Sequence, residues 1–297
     1  MQKNMMPKLK LKKIFSLFLV FSLLKIGSSL AANGSKNITD FNQRIVSTNL
    51  CIDSLVIALV GRKGVVAVSS VAGDSRYSLI AKEVAGIKKV NFNAEQVYSL
   101  KPTIVLASNF SSPKTRHAMS KLGLRVILVD YARSIDEIAK NLVHLGYLLN
   151  ASGKAKDLIE TLRNIEFSAD KSQGLMAIQY SENRYVNGQN SLIRDVFQRS
   201  GFGEKNSLIQ AQGGRFLPSE FVIKAKPDLL LLDENKNQQI HFQNPNYHSS
   251  LYKTLGSTMV THIKQKYWSC GTPKIIDLIQ QLLQHHAQIL EAKKIAQ

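Results

Sequence analysis

One short phrase occurs twice in this chain and sets what it can fold into. AEQVYSLKPTIVLAS (Ala94 to Ser108) and SEFVIKAKPDLLLLD (Ser219 to Asp233) both read small-Glu-x-Val, three residues, Lys-Pro, then an apolar run. Glu95 and Glu220 are 125 residues apart, and so are Pro102 and Pro227. The proline disfavours helix for the lysine before it, so each phrase predicts a short helix that stops and passes into a strand. The apolar runs Ile104 to Ala107 and Leu229 to Leu232 suit strands covered on both faces, as in parallel sheets. A phrase repeated once at so long a period predicts two similar α/β lobes, since solenoid repeats are much shorter.

Between the copies, Ser134 to Ser172 is helical in pattern. Ser134 with Glu137 three residues on forms a capping box, and Ile135, Ile138, Leu142, Leu145 and Leu149 make one apolar stripe. Asn150 to Gly153 interrupts it, and a second helix from about Lys154 to Ile165 is expected to link the lobes stiffly. Ahead of it, Arg44 to Asn49 reads as a strand, Cys51 to Val60 as a helix, Gly64 to Ser69 as a strand and Leu79 to Ala85 as a helix closed by Gly86. Strands Leu175 to Tyr180 and Met259 to Ile263, a helix Ser191 to Ser200, and a final helix after Thr272-Pro273 follow. The polar run Glu234 to Ser249 reads as a loop. The expected organisation is residues 1–31 as a signal peptide, 44–133 as an N-terminal α/β lobe, 134–172 as the helical segment, and 173–297 as a C-terminal α/β lobe.

The leader is argued from Lys8, Lys10, Lys12 and Lys13, an apolar core Ile14 to Leu24, and Ser29-Leu30-Ala31 as a small-x-small site. The apolar run is shorter than the ~20 residues of a membrane span, and Lys25 interrupts it. No cysteine follows it closely, so nothing there points to a lipid anchor. Cleavage after Ala31 removes six lysines and no acids, lowering the formal charge from +18 to +12. The remaining Lys and Arg are scattered, with no dense patch interleaved with aromatics, which argues against nucleic acid. Cys51 and Cys270 are the two cysteines, and an oxidising compartment permits them to pair.

Doubly wound sheets bind ligands at the carboxyl ends of their strands. The loops expected there, Asn49 to Asp53, Ser70 to Tyr77, Asn109-Phe110, Asp130 to Arg133, Ser181 to Gln189 and Tyr267 to Gly271, are rich in Tyr, Phe, Trp, Arg and Asn. Two such loop sets facing each other make a small-molecule cleft. No catalytic set accompanies it: there is no G-x-S-x-G elbow, glycine-rich phosphate loop or H-E-x-x-H. The seven histidines are dispersed, and His285-His286 on the last helix is expected to be solvated, so no protein-ligated metal is predicted.

RIVSTNLCIDSL, the two Glu-Lys-Pro phrases, the helical link and WSCGTPKIIDLIQQL, in this order, resemble the periplasmic substrate-binding proteins of importers for iron-siderophores, haem and cobalamin. That resemblance implies two Rossmann-like lobes with central parallel sheets, joined by a long rigid helix, and a monomeric, non-enzymatic receptor. It implies no intrinsic cofactor, a metal chelate (cobalamin, ferric siderophore or haem) as ligand, and a membrane permease with its cytoplasmic ATPase as partners. Carried onto this chain, it assigns permease docking to Glu95 and Glu220. Asn49, Arg76, Tyr77, Phe110, Tyr131, Arg184, Tyr185, Tyr267 and Trp268 are the cleft candidates. It also places Cys51 and Cys270 on different lobes, where a disulfide would restrict opening. The competing readings are a secreted α/β enzyme on a small substrate and a receptor that binds zinc or manganese directly.

Overall fold

The computed structural model describes residues 43–165, 174–181, 183–203, 214–233 and 254–296. The leader and the polar run Glu234 to Ser249 lie outside the described residues. Five parallel strands form the first sheet: β1 (Ile45–Ser47), β2 (Val65–Ser69), β3 (Lys88–Val90), β4 (Ile104–Ser108) and β5 (Val126–Val129), in the order β3-β2-β1-β4-β5. Helices α1 (Leu50–Val60), α2 (Ala94–Tyr98) and α3 (Pro113–Lys121) make its crossovers. The strand order reverses between β1 and β4, whose register pairs Ile45 with Ile104 and Ser47 with Leu106.

A helical pair follows, α4 (Ile135–Leu148) and α5 (Ser152–Arg163). The second lobe contains β6 (Ala177–Tyr180), β7 (Tyr185–Val186), α6 (Leu192–Arg199), β8 (Arg215–Phe216), α7 (Ser219–Ala225), β9 (Leu229–Asp233), β10 (Met259–Ile263) and α8 (Ile275–Ile295). Its parallel sheet runs β10-β9-β6, while β7 and β8 form a separate antiparallel ribbon.

The repeated phrase behaves alike in both lobes. α2 and α7 are followed by β4 and β9, and the junction lysines Lys101 and Lys226 both sit in the left-handed region at φ 47°. A following proline crowds the right-handed helical region, and the left-handed turn is the route the chain takes from helix to strand. The apolar runs are buried along Ile104 to Ala107 and Leu229 to Leu232.

Two expectations are corrected. Leu79 to Ala85 is a set of turns, with Val84 N donating to Ile80 O at 3.1 Å and Ala85 N to Lys82 O at 3.2 Å. Only Val84 makes the four-residue step of a helix, Ala85 and Ile87 bond three residues back, and Gly86 at φ 78° turns the chain into β3. His286 is buried rather than solvated, its ring edge-on to Phe202 at 5.2 Å, because α8 packs on α6 and one face of a long helix must go inside. Between the lobes, α4 lies against α1 on one side and α6 on the other, and α5 packs along α4, its end sharing a surface hollow with Ile276, Gln280 and Leu283 of α8. Fourteen residues give α4 a length of about 21 Å.

The lobes are joined by more than α4. Asp195 of α6 accepts from the backbone N–H of Ile135, at the start of α4, at 2.8 Å, and Arg199 bridges Asp195 (3.0 Å) and Asp136 (2.8 Å). One hydrophobic cluster contains Ile45 and Leu106 from the first sheet, Leu142 and Leu145 from α4, and Ala177, Leu229 and Leu231 from the second sheet. Among the described residues no helix is long and apolar enough to cross a membrane.

Candidate functional site

The reversal of strand order between β1 and β4 opens a crevice beyond their carboxyl ends, where Thr48-Asn49 and Asn109-Phe110 lead away. Asn49 is spent on local structure: its side chain caps α1, accepting from Cys51 N at 3.0 Å. Phe110 is 74% exposed and meets Tyr131, from the β5–α4 turn, edge to face at 6.4 Å. From the second lobe the ribbon contributes a matching pair, Tyr185 and Phe216, which are cross-strand partners with rings 5.4 Å apart, Phe216 being 69% exposed. Tyr131 and Tyr185 are within electrostatic reach. The Tyr131 phenol is pushed up from its ordinary value chiefly by burial, which the Arg133 guanidinium opposes and the Tyr185 hydroxyl reinforces.

A cavity of about 350 Å³ lies beside Phe110 and Tyr131, lined also by Asn109, Asp130, Arg133, Glu137, Lys140 and Asn141. The Asn109 amide donates to Asp130 Oδ1, and the Asn141 amide donates to the Asp130 carbonyl at 2.8 Å. The capping box forms with a shift: Ser134 Oγ takes the Glu137 N–H at 3.1 Å, and Glu137 Oε2 reaches back to the N–H of Arg133 at 2.6 Å rather than to that of Ser134.

The other candidates have local partners. Arg184 has φ 66° and shapes the turn into β7, its N–H donating to Ser181 O at 2.8 Å. Arg76 is engaged by Asp74, with Nε 3.0 Å from Oδ1, and its guanidinium lies 5.3 Å from the centre of the Tyr77 ring. This holds the Asp74 carboxyl below the usual carboxylate range. Lys266 donates to Ser75 O at 2.9 Å and sits 6.0 Å from the centre of the Tyr267 ring, which ties the loop that carries Tyr267 to the one that carries Arg76 and Tyr77. Trp268, expected in the cleft, is 8% exposed and packs in the shared core just after the 3-10 turn Gln265–Tyr267. Phe216, which sequence reasoning missed, is an exposed ring; the signal available was the Gly-Gly pair in the sequence just before a lone Arg-Phe.

Cys51 and Cys270 are disulfide-bonded, with Cα atoms 5.0 Å apart across 219 residues. Gly271 fits beside this bond because a Cβ there would lie 2.6 Å from that of Ala132 and 3.1 Å from Ile138 Cγ1. Lys274 continues the seam, reaching Leu79 O at 3.1 Å and Glu83 Oε1 at 3.0 Å. Beneath the first turn of α1, Asp53 is wholly buried, and Ser69 donates to its Oδ2 from Oγ and from N at 3.1 Å. Burial raises its carboxyl from 3.8 to about 7, against the lowering effects of the Ser47 and Ser69 hydroxyls, the Ser69 N–H and Lys89. The folded protein therefore holds a proton there that the unfolded chain releases near pH 4. Stability contributed by Asp53 is present in acid and falls as pH rises towards and through 7, by roughly 4 kcal/mol in all. Asp53→Asn should flatten that fall in urea midpoints taken from pH 5 to 8; an unchanged slope would clear Asp53 of the effect.

Among the described residues no three His, Cys, Asp or Glu side chains come together as a metal group would require. A family model for periplasmic binding proteins matches residues 45–244, which takes in both copies of the repeated phrase. The chain belongs to the periplasmic binding protein family. Among relatives of this binding protein, an uncharacterized ABC transporter substrate-binding lipoprotein of Bacillus subtilis, YvrC, is 26% identical over 177 residues, covering 54% of this chain and 56% of that one. The chain thus matches little more than half the length of that curated relative. Two solved structures share the fold. The Vibrio cholerae periplasmic heme binding protein HutB has a TM-score of 0.66 at 16% identity, covering 84% of this chain and 99% of that one. The periplasmic vitamin B12 binding protein BtuF of the same organism has a TM-score of 0.61 at 18% identity, covering 84% and 98%. The two-lobed α/β architecture with parallel sheets is therefore that of the binding-protein class to which they belong.

Proposed function

We propose that this protein is an exported receptor that captures a metal chelate, cobalamin, ferric siderophore or haem, between its lobes and delivers it to an ATP-driven importer through a membrane permease. The observation that carries this reading is the pair of edge-to-face aromatic contacts from opposite lobes, Phe110 with Tyr131 and Tyr185 with Phe216. Large rings left exposed at strand ends are costly in water and suited to a flat ligand. Family membership supports the transport role, and relatives named for haem and vitamin B12 support the chelate class. No chemistry on the ligand is required, and none of the groups around the rings forms a nucleophile–base pair among the described residues.

Titration of the purified protein with cyanocobalamin, a ferric hydroxamate siderophore and haemin is expected to give one-to-one binding of at least one of them. Phe110→Ala and Phe216→Ala should each weaken that binding by about 1.5 to 3 kcal/mol, roughly ten- to a hundredfold. Failure of all three chelates to bind would refute the receptor reading.

A further inference from the structure

Resting on the receptor reading, the lining of the cavity beside Phe110 and Tyr131 narrows the chemistry of the chelate. We infer that the ligand is a neutral macrocyclic chelate whose rim carries amide arms, rather than one whose arms are carboxylates. The cavity holds two cations, Arg133 and Lys140, and two acids, Asp130 and Glu137. Formal charge therefore balances inside one small space. A polyanionic ligand would gain from the cations but would have to bring its carboxylates beside Asp130 and Glu137, and like charges brought together out of water are strongly unfavourable.

Hydrogen-bonding capacity points the same way. One oxygen of each acid is already engaged, Asp130 Oδ1 by Asn109 and Glu137 Oε2 by the Arg133 N–H. The second oxygen of each, and the side-chain oxygens of Asn109 and Asn141, accept no hydrogen bond from the described residues. Arg133 and Lys140 make no ion pair there. The cavity thus offers four open acceptors and two cationic donors around the rings. A carboxylate arm is acceptor-only and can serve the two donors but none of the acceptors. A primary amide carries two N–H donors and a carbonyl acceptor, so amide arms serve both kinds, and polar groups left unmatched in a desolvated site are what make a wrong ligand weak.

At about 350 Å³ the cavity accommodates arms rather than a whole macrocycle. The ring itself would lie against Phe110, Tyr131, Tyr185 and Phe216, and its rim would enter the cavity on the side of the first lobe.

Dicyanocobinamide and dicyanocobyrinic acid test this directly, because they share one corrin ring and differ in whether the arms are amides or carboxylates. Calorimetry at pH 7.5 should show dicyanocobinamide binding at least thirtyfold more tightly than the hepta-acid. Asp130→Lys should shrink or invert that ratio while retaining the far-ultraviolet spectrum of the parent. Equal or tighter binding of the hepta-acid, or binding of haemin with neither corrinoid bound, would overturn the inference and leave the receptor reading intact. No binding of either corrinoid, haemin or a ferric hydroxamate would instead remove the receptor reading itself.

Discussion

Replacing Glu95 and Glu220 together with alanine is expected to reduce chelate uptake by whole cells at least a hundredfold while leaving the affinity of the purified protein unchanged. Both acids are exposed in the first turns of helices, α2 and α7, that begin the two copies of the repeated phrase. Neither makes an ion pair among the described residues, so the fold does not need their charge. An acid at a helix start gains only about 0.3 to 1 kcal/mol from the positive helix end. Removing one partner of a desolvated charge pair at an interface costs about 2 to 5 kcal/mol, and two such losses exceed the stated hundredfold. Each single variant should show an intermediate loss, and unchanged uptake by the double variant would return both residues to helix-end stabilisers.

The second large effect belongs to the disulfide. Cross-linking residues 219 apart restricts the unfolded chain, and the entropy of closing so long a loop corresponds to about 5 kcal/mol, the upper end of what such bonds deliver. Cys51→Ala with Cys270→Ala should therefore lower the melting temperature by about 10 to 20 °C for a protein of this size. Dithiothreitol should do the same to the parent and nothing to the variant. A parent protein that exposes two reactive thiols when denatured without reductant would contradict the bond, and an unshifted melting temperature would contradict its contribution.

The lobes were legible in the sequence because their signal is local. A lysine before proline is turned away from helix, an unbroken apolar run needs cover on both faces, and Lys-Pro followed by such a run occurs twice in step. Ser134 and Glu137 likewise marked the start of α4. The site was less legible because exposure is decided by packing far along the chain. Trp268 and Phe216 have similar aromatic character, but Trp268 is drawn into the core by α8, and Phe216 is held outward by pairing with Tyr185 across a two-residue ribbon. Arg76 is a cleft candidate by its loop, but its guanidinium is engaged by its neighbour Asp74. The charge balance of the cavity was hidden for the same reason. Asn109, Asp130, Glu137 and Lys140 come from two loops and a helix, and only the fold counts them together.

The hydrophobic cluster that runs unbroken from Ile45 to Leu231 also bears on speed. A receptor whose halves share one interior has little hinge motion to complete before its ligand is held, so association should be single-phase and linear in ligand concentration. Occupancy would then be announced less by a change of posture than by the cargo itself, filling the mouth between Tyr131 and Tyr185 and becoming part of the surface that the permease touches.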